Sequence, residues 1–290
     1  MQKIILSTDS TCDMGPELIR KHDVRVVPLT VILGDKDYED GINIVPDDIY
    51  DYVSKTKILP KTSATSTYVF SQHFKKIQEE NPGAAIIHFS ISCQLSASYQ
   101  NATIAAEQMQ DVYVVDTQAL STGNALLILK GADLIEEGKS AAEIAQICRD
   151  LAPKVQTSFV VDNLDYLYKG GRCSGLTLLG ANLLKIHPML QMQNAYLKPC
   201  TKFRGNMDLV LTKYFDYLYD NYGDCDKRRA FVTQTAYENQ TYLNELIAGI
   251  KEKFGFQEVF NTMAGCTITS HCGRGTVGLL YIANQPIMKG

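Results

Sequence analysis

Apolar positions in the first half of the chain switch between two spacings. Lys3 to Thr8, Ala84 to Phe89 and Val112 to Val115 are short apolar runs that read as buried strands. Between them the spacing becomes helical. Asp9, Ser10 and Thr11 supply a cap for a helix reaching about His22, and Pro46 to Lys55 carries Ile49, Tyr52 and Val53 on one face. Phe70, Phe74 and Ile77 fall at i, i+4 and i+7 of another helix, stopped by Asn81-Pro82-Gly83. Val24 to Leu33 reads as one strand ending in a Gly34-Asp35 turn, and Lys61 to Thr67 as a polar, hydroxyl-dense loop. Helices follow from about Tyr99 to Met109 and from beyond Thr117 to about Glu137. Ser140 to Glu143 is a capping box that opens one more, ending at Pro153. Alternating strands and helices build a parallel sheet with helices on its faces.

The second half has a different texture. Thr157 to Asp162, His187 to Gln193, Ala195 to Phe203, Arg229 to Gln234, Glu258 to Asn261 and Thr276 to Ile282 read as strands, and Asn206 to Tyr222 and Tyr237 to Phe254 as helices. A hairpin is expected at Gln193-Asn194. The predicted organisation is α/β, with an N-terminal Rossmann-like parallel-sheet domain over 1–154 and a C-terminal α+β domain over 155–290. No Gly/Ser linker separates the halves, so the two should pack closely and enclose a cleft.

Charge narrows the partners. Twenty-eight basic against 32 acidic residues give a net charge of −4, and the longest basic run is Lys227-Arg228-Arg229. That balance argues against a nucleic-acid or anionic-membrane surface as the main partner, and the lack of an 18-residue apolar stretch argues against stable membrane insertion, leaving at most transient membrane contact. The first apolar run is too short for a secretory signal, so a cytoplasmic protein is expected. Its eight cysteines form no C-x-x-C and no metal-ligand spacing, which predicts free, packed thiols and no metal.

Three hydroxyl-rich loops are the candidate chemistry: Lys61 to Ser66, Ser90 to Ser98, and Thr267 to Gly273. The second lies between a buried strand and a helix start, where backbone N–H groups and hydroxyls make an anion site. His271 lies in the third, as a neutral imidazole positioned to hold a hydroxyl or an acid. Gly273-Arg274-Gly275-Thr276-Val277-Gly278 satisfies G-x-G-x-x-G, but a strand rather than a helix follows it, so it is not a dinucleotide site. No nucleotide loop or esterase elbow occurs. A Ser92/His271 hydrolase of small acyl esters and a regulatory protein binding a non-lipid anion remain as alternatives.

Six strings, in this order, resemble the DegV family of bacterial fatty-acid-binding proteins over essentially the whole chain. They are Thr8 to Thr11 with Asp13, Lys61 to Ser63 with Ser66, Ser92 to Tyr99, Val114 to Thr117, Leu164 to Arg172, and Thr269 to His271 with Gly273 and Gly275 to Gly278. The resemblance implies a two-domain DegV-like (EDD) fold that buries a long-chain fatty acid between its domains and needs no cofactor. It places the carboxylate on Thr62, with Ser63, Ser92, Cys93 and Ser96 around it and His271 completing the network. It also implies that this carrier is no enzyme itself and presents the carboxylate to a separate, ATP-dependent fatty acid kinase, docked through Arg172 and Arg204. Three positions depart from the family pattern: Cys93 replaces a serine, Ala97-Ser98 replace Gly-Thr, and Arg274 replaces a proline.

Overall fold

The computed structural model describes residues 2–173 and 186–287. The first half runs β1 (Ile4–Asp9), α1 (Pro16–Lys21), β2 (Arg25–Val27), β3 (Thr30–Leu33), β4 (Lys36–Glu39), α2 (Pro46–Thr56), β5 (Lys61–Ser63) and α3 (Thr67–Glu80). It continues with β6 (Ala85–Ser90), α4 (Ser98–Ala106), β7 (Val112–Asp116), α5 (Thr122–Glu136) and α6 (Ala141–Leu151). Four of its strands form a parallel sheet in the order β2-β1-β6-β7, and β4-β3-β5 form a small antiparallel sheet beside it. The second half comprises β8 (Val155–Val160), α7 (Asp165–Gly170), β9 (Ile186–Gln193), β10 (Tyr196–Arg204), α8 (Met207–Tyr222) and β11 (Cys225–Gln234). After these come α9 (Gln240–Phe254), β12 (Glu258–Met263), α10 (Cys266–Cys272) and β13 (Val277–Ala283). Its six strands lie in the order β10-β9-β8-β13-β11-β12, antiparallel except for the β11/β12 edge pair.

Four local expectations need correction. Val24 to Leu33 is two strands rather than one, because Pro28 cannot continue the ladder; β2 joins the parallel sheet and β3 the small one. Asp9 does cap, accepting the Thr11 N–H at 3.1 Å, but only a 3-10 turn over Ser10–Cys12. Left-handed backbone at Asp13 (φ 48) and at Gly15 (φ 78) then interrupts the chain before α1 starts at Pro16. The expected loop at Lys61 begins as strand β5, pairing Thr62 with Val31. The expected loop from Thr267 is helix α10.

Helix α5 joins the two halves. Nearly every side chain along it is buried, and its core cluster includes Leu6, Ile87 and Phe89 of the first sheet together with Val155, Phe231 and Leu280 of the second. Each fully buried Leu or Ile contributes about 1.5–3 kcal/mol, so this two-sided helix is the main apolar bond between the halves. Two glycines allow the close approach. A Cβ at Gly131 would sit 3.1 Å from Phe89, and one at Gly123 would sit 2.5 Å from Thr157 Oγ1 and 2.7 Å from Ala119 Cβ. Asp133 on the same helix accepts from Arg228 Nη1 at 2.5 Å and from Arg229 Nη1 and Nη2 at 2.7 and 2.8 Å, tying α5 to β11.

Glycine-to-alanine substitution should therefore have opposite signs on two helices. Gly123→Ala gains about 1 kcal/mol of helix propensity but overpacks the α5/β8 contact, and should destabilise by about 1–2 kcal/mol net. Gly249→Ala on α9, where a Cβ meets nothing within 4 Å, should stabilise by about 0.5–1 kcal/mol. Urea unfolding midpoints of the two variants check the pair.

Candidate functional site

A cavity of about 540 Å³ opens between the halves. The first half lines it with Thr62 and Ser63 of β5 and with the loop between β6 and α4; the second lines it with one face of α10, Leu167 of α7 and Arg172. Its apolar wall comes from a single cluster that includes Ile91, Leu120, Phe159, Leu167, Leu197 and Ile268. Among the described residues Arg172 is the one charged side chain on the lining.

The position of α10 is set by carboxyl groups from the other half of the chain. Its sequence, CTITSHC, is rich in β-branched and hydroxyl residues that form helix poorly on their own. Asp13 Oδ1 accepts the Gly265 N–H at 2.7 Å, while Asp40 Oδ1 and Oδ2 accept those of Cys266 and Thr267 at 2.8 and 3.0 Å. These are first-turn donors with no partner inside the helix. Ser10 Oγ donates to Asp40 Oδ2 at 3.0 Å and Ser121 Oγ to Asp13 Oδ2 at 2.5 Å, holding both acceptors still. Burial pushes the Asp13 carboxyl up to about 8, and the nearby Asp40 and Asp9 add to the rise against the hydrogen bonds from Ser121 and Gly265.

Held at the far end of α10, His271 places Nε2 2.8 Å from Thr62 Oγ1. Burial, with Arg172 adding to it, lowers the imidazole to about 4, so it is neutral at physiological pH. Its Nδ1 is buried and has no hydrogen-bond partner among the described residues. Helix α7 ends against this ring: a Cβ at Gly170 would lie 2.6 Å from Nδ1, a space only glycine leaves open.

The structure brings most of the predicted residues to the cavity. Thr62, Ser63, Cys93, Ser96, Arg172 and His271 all line it. Cys93 is exposed; its N–H donates to Asp116 Oδ1 at 3.2 Å, and partial burial with the Asp116 carboxylate pushes the thiol up to about 11. Ser96 Oγ accepts the Ser98 N–H at 3.1 Å and donates to Ser98 Oγ at 3.0 Å. Ser92 and Arg204 are the exceptions, and Ser92 differs in burial as well. It is fully buried off the lining, its Oγ donating at 2.7 Å to Ala195 O in the β9/β10 hairpin. The Ser92/His271 hydrolase pair is not formed: the Ser92 hydroxyl is engaged with Ala195 off the lining, and the imidazole Nε2 with Thr62. Arg204 is also off the lining, exposed at the end of β10.

Sequence reasoning did not single out Thr267, Asp13 or Asp40 as site residues. Thr267 lines the cavity, and its buried Oγ1 has no partner among the described residues. Asp40 follows the β3/β4 hairpin with no motif to mark it; its partners on α10 are more than 220 residues away. Among the described residues no cluster could hold a metal ion, and no helix is long and apolar enough to cross a membrane.

Comparison with known proteins matches residues 3–284 to a family model described as uncharacterised protein, DegV family. A DegV domain-containing protein of Clostridium acetobutylicum is 30% identical over 284 residues, 97% of this chain and 99% of the relative. One from Caldanaerobacter subterraneus is 29% identical over 283 residues, with the same coverage. Among solved structures, a fatty-acid-binding DegV family protein of Thermus thermophilus superimposes with a TM-score of 0.86 at 28% identity, covering 97% of this chain and 100% of that one. A DegV lipid-binding protein of Thermotoga maritima gives 0.85 at 26%, covering 98% and 100%. A stearic-acid-binding protein of Eubacterium ventriosum gives 0.81 at 26%, covering 98% of each chain.

Two outcomes test this account of the site. Asp40→Asn leaves one acceptor oxygen for the two N–H groups of Cys266 and Thr267 and should cost about 1.5–3 kcal/mol in urea unfolding. The second concerns pH. His271 binds fewer protons folded than unfolded, so its contribution to stability is intact above its ordinary value and is lost as pH falls from about 6.5 to about 4. Wild type should therefore lose up to about 1.4 kcal/mol per pH unit relative to His271→Gln across that window, measured as the difference between their unfolding free energies near pH 7 and pH 5.

Proposed function

The chain belongs to the DegV family, and from that premise we propose that it binds a long-chain fatty acid in the inter-sheet cavity, its carboxylate at the Thr62/His271 end. The observation that carries this reading is the make-up of the lining: one continuous apolar cluster meets a neutral Thr62/His271 pair bonded at 2.8 Å. Burying about 14 methylenes contributes on the order of 10 kcal/mol, which offsets the cost of desolvating a head group only if that group finds donors. Thr62, Ser63 and Thr267 offer hydroxyls on the lining, and Ser96 would join them by exchanging its bond to Ser98. With the imidazole proton on Nε2, His271 donates to Thr62 Oγ1 and leaves the Thr62 O–H free to donate to the carboxylate. Cys93 offers a weak S–H donor where the family pattern has a hydroxyl.

The chain acts in this reading as a carrier with no catalytic group of its own. A separate ATP-dependent kinase would phosphorylate the exposed end of the carboxylate, with Arg172 at the rim and the exposed Arg204 as the docking charges. The engagement of Ser92 with Ala195 disfavours the hydrolase alternative, and the size of the apolar wall disfavours a small non-lipid anion.

Native mass spectrometry of the purified protein, with extraction of lipid, should reveal one bound C14–C20 acid; protein that is empty and takes up none when offered refutes the reading. Thr62→Ala should weaken retention about 10- to 150-fold by removing a hydrogen bond to a charged group. Cys93→Ser should retain or tighten binding, since a hydroxyl is the stronger donor at similar size. Displacement of a fluorescent fatty acid reads both variants.

A further inference from the structure

A carboxylate taken out of water is costly unless charge meets it, and hydroxyl donors supply hydrogen bonds but no charge. Three observations bear on where that charge lies. Arg172 is the one ionic side chain on the lining among the described residues. It has no carboxylate partner among them either, in contrast to Arg228 and Arg229, which are engaged with Asp133. Its exposed side chain also turns toward the site: Gly171 takes the left-handed conformation at the end of α7, with φ 65, and the guanidinium folds back so that Nη1 donates to Gly170 O at 2.7 Å. Gly170 is the residue pressed against His271, so the guanidinium is anchored to the segment that touches the imidazole.

We propose that Arg172 is the counter-charge of the lipid head group, making the cavity select an ionised acid over an uncharged lipid of equal chain length. This rests on the fatty-acid reading above and gives Arg172 a second role, binding the head group directly, beside the docking role proposed for it at the rim. His271 Nε2 is engaged with Thr62 Oγ1 at 2.8 Å, and burial with Arg172 nearby disfavours its protonated form. The division of labour is then defined: Thr62 and His271 orient the head group, Arg172 balances its charge, and the apolar cluster holds the chain.

The test compares hexadecanoate with hexadecan-1-ol, two ligands that share a chain and differ in head-group charge. Affinities are measured by calorimetric titration for wild type, Arg172→Gln and Arg172→Lys, with matched thermal melts confirming that the variants fold. Arg172→Gln should weaken hexadecanoate about 10- to 100-fold and leave hexadecanol within about twofold. Arg172→Lys, which keeps the charge, should recover most of the hexadecanoate affinity. Equal weakening of both ligands, no weakening of either, or a lysine variant as weak as the glutamine variant would overturn the assignment. Wild-type protein that holds neither ligand refutes the carrier reading, and this inference with it.

Discussion

The arrangement of the site depends on hydrogen bonds between two carboxyl groups of the first half and three backbone N–H groups at the start of α10. Without Asp13 and Asp40 the segment Cys266–Cys272 has little reason to be a helix, given its β-branched and hydroxyl residues. With them, α10 is held over the cleft, and His271 one and a half turns on meets Thr62 of the first half. The interaction is local in space and remote in sequence. It converts the folding of one half into the geometry of a contact between both.

Helix α5 supplies the complementary constraint. Packed against both sheets, it holds the halves together beside the cavity, which α10 and α7 line. The cavity is thus a place where the sheets are held apart by well-packed neighbours on either side, with its apolar wall contiguous in a cluster of its own. Such a space keeps its shape because close-packed interiors deform little.

Much of this was legible in the sequence, and the failures have identifiable causes. The continuous apolar run beyond Thr117 was readable as a helix, and Ser140 with Glu143 forms the predicted capping box in every bond. Strands β1, β6 and β7 of the parallel sheet were equally plain as apolar runs, whereas β2 reads as one strand with β3 across Pro28. Sequence reasoning failed where tertiary contacts override local preference. Thr267 to Gly273 reads as a loop because its residues are polar and β-branched, and the acceptors that make it helical lie elsewhere in the chain. Ser92 reads as a site residue because it opens a hydroxyl-rich string, yet its hydroxyl bridges to Ala195. Thr62 and His271 were identified individually from their strings; their 2.8 Å contact could come only from the fold.

The buried Asp13 carboxyl has a thermochemical consequence. Held at about 8 in the folded chain and free to ionise near its ordinary value once exposed, it gives up close to one proton on unfolding at neutral pH. That proton passes to the buffer. The heat absorbed when this protein melts therefore includes the buffer's own protonation enthalpy, and a scan in an amine buffer will differ from one in phosphate although the same bonds are broken.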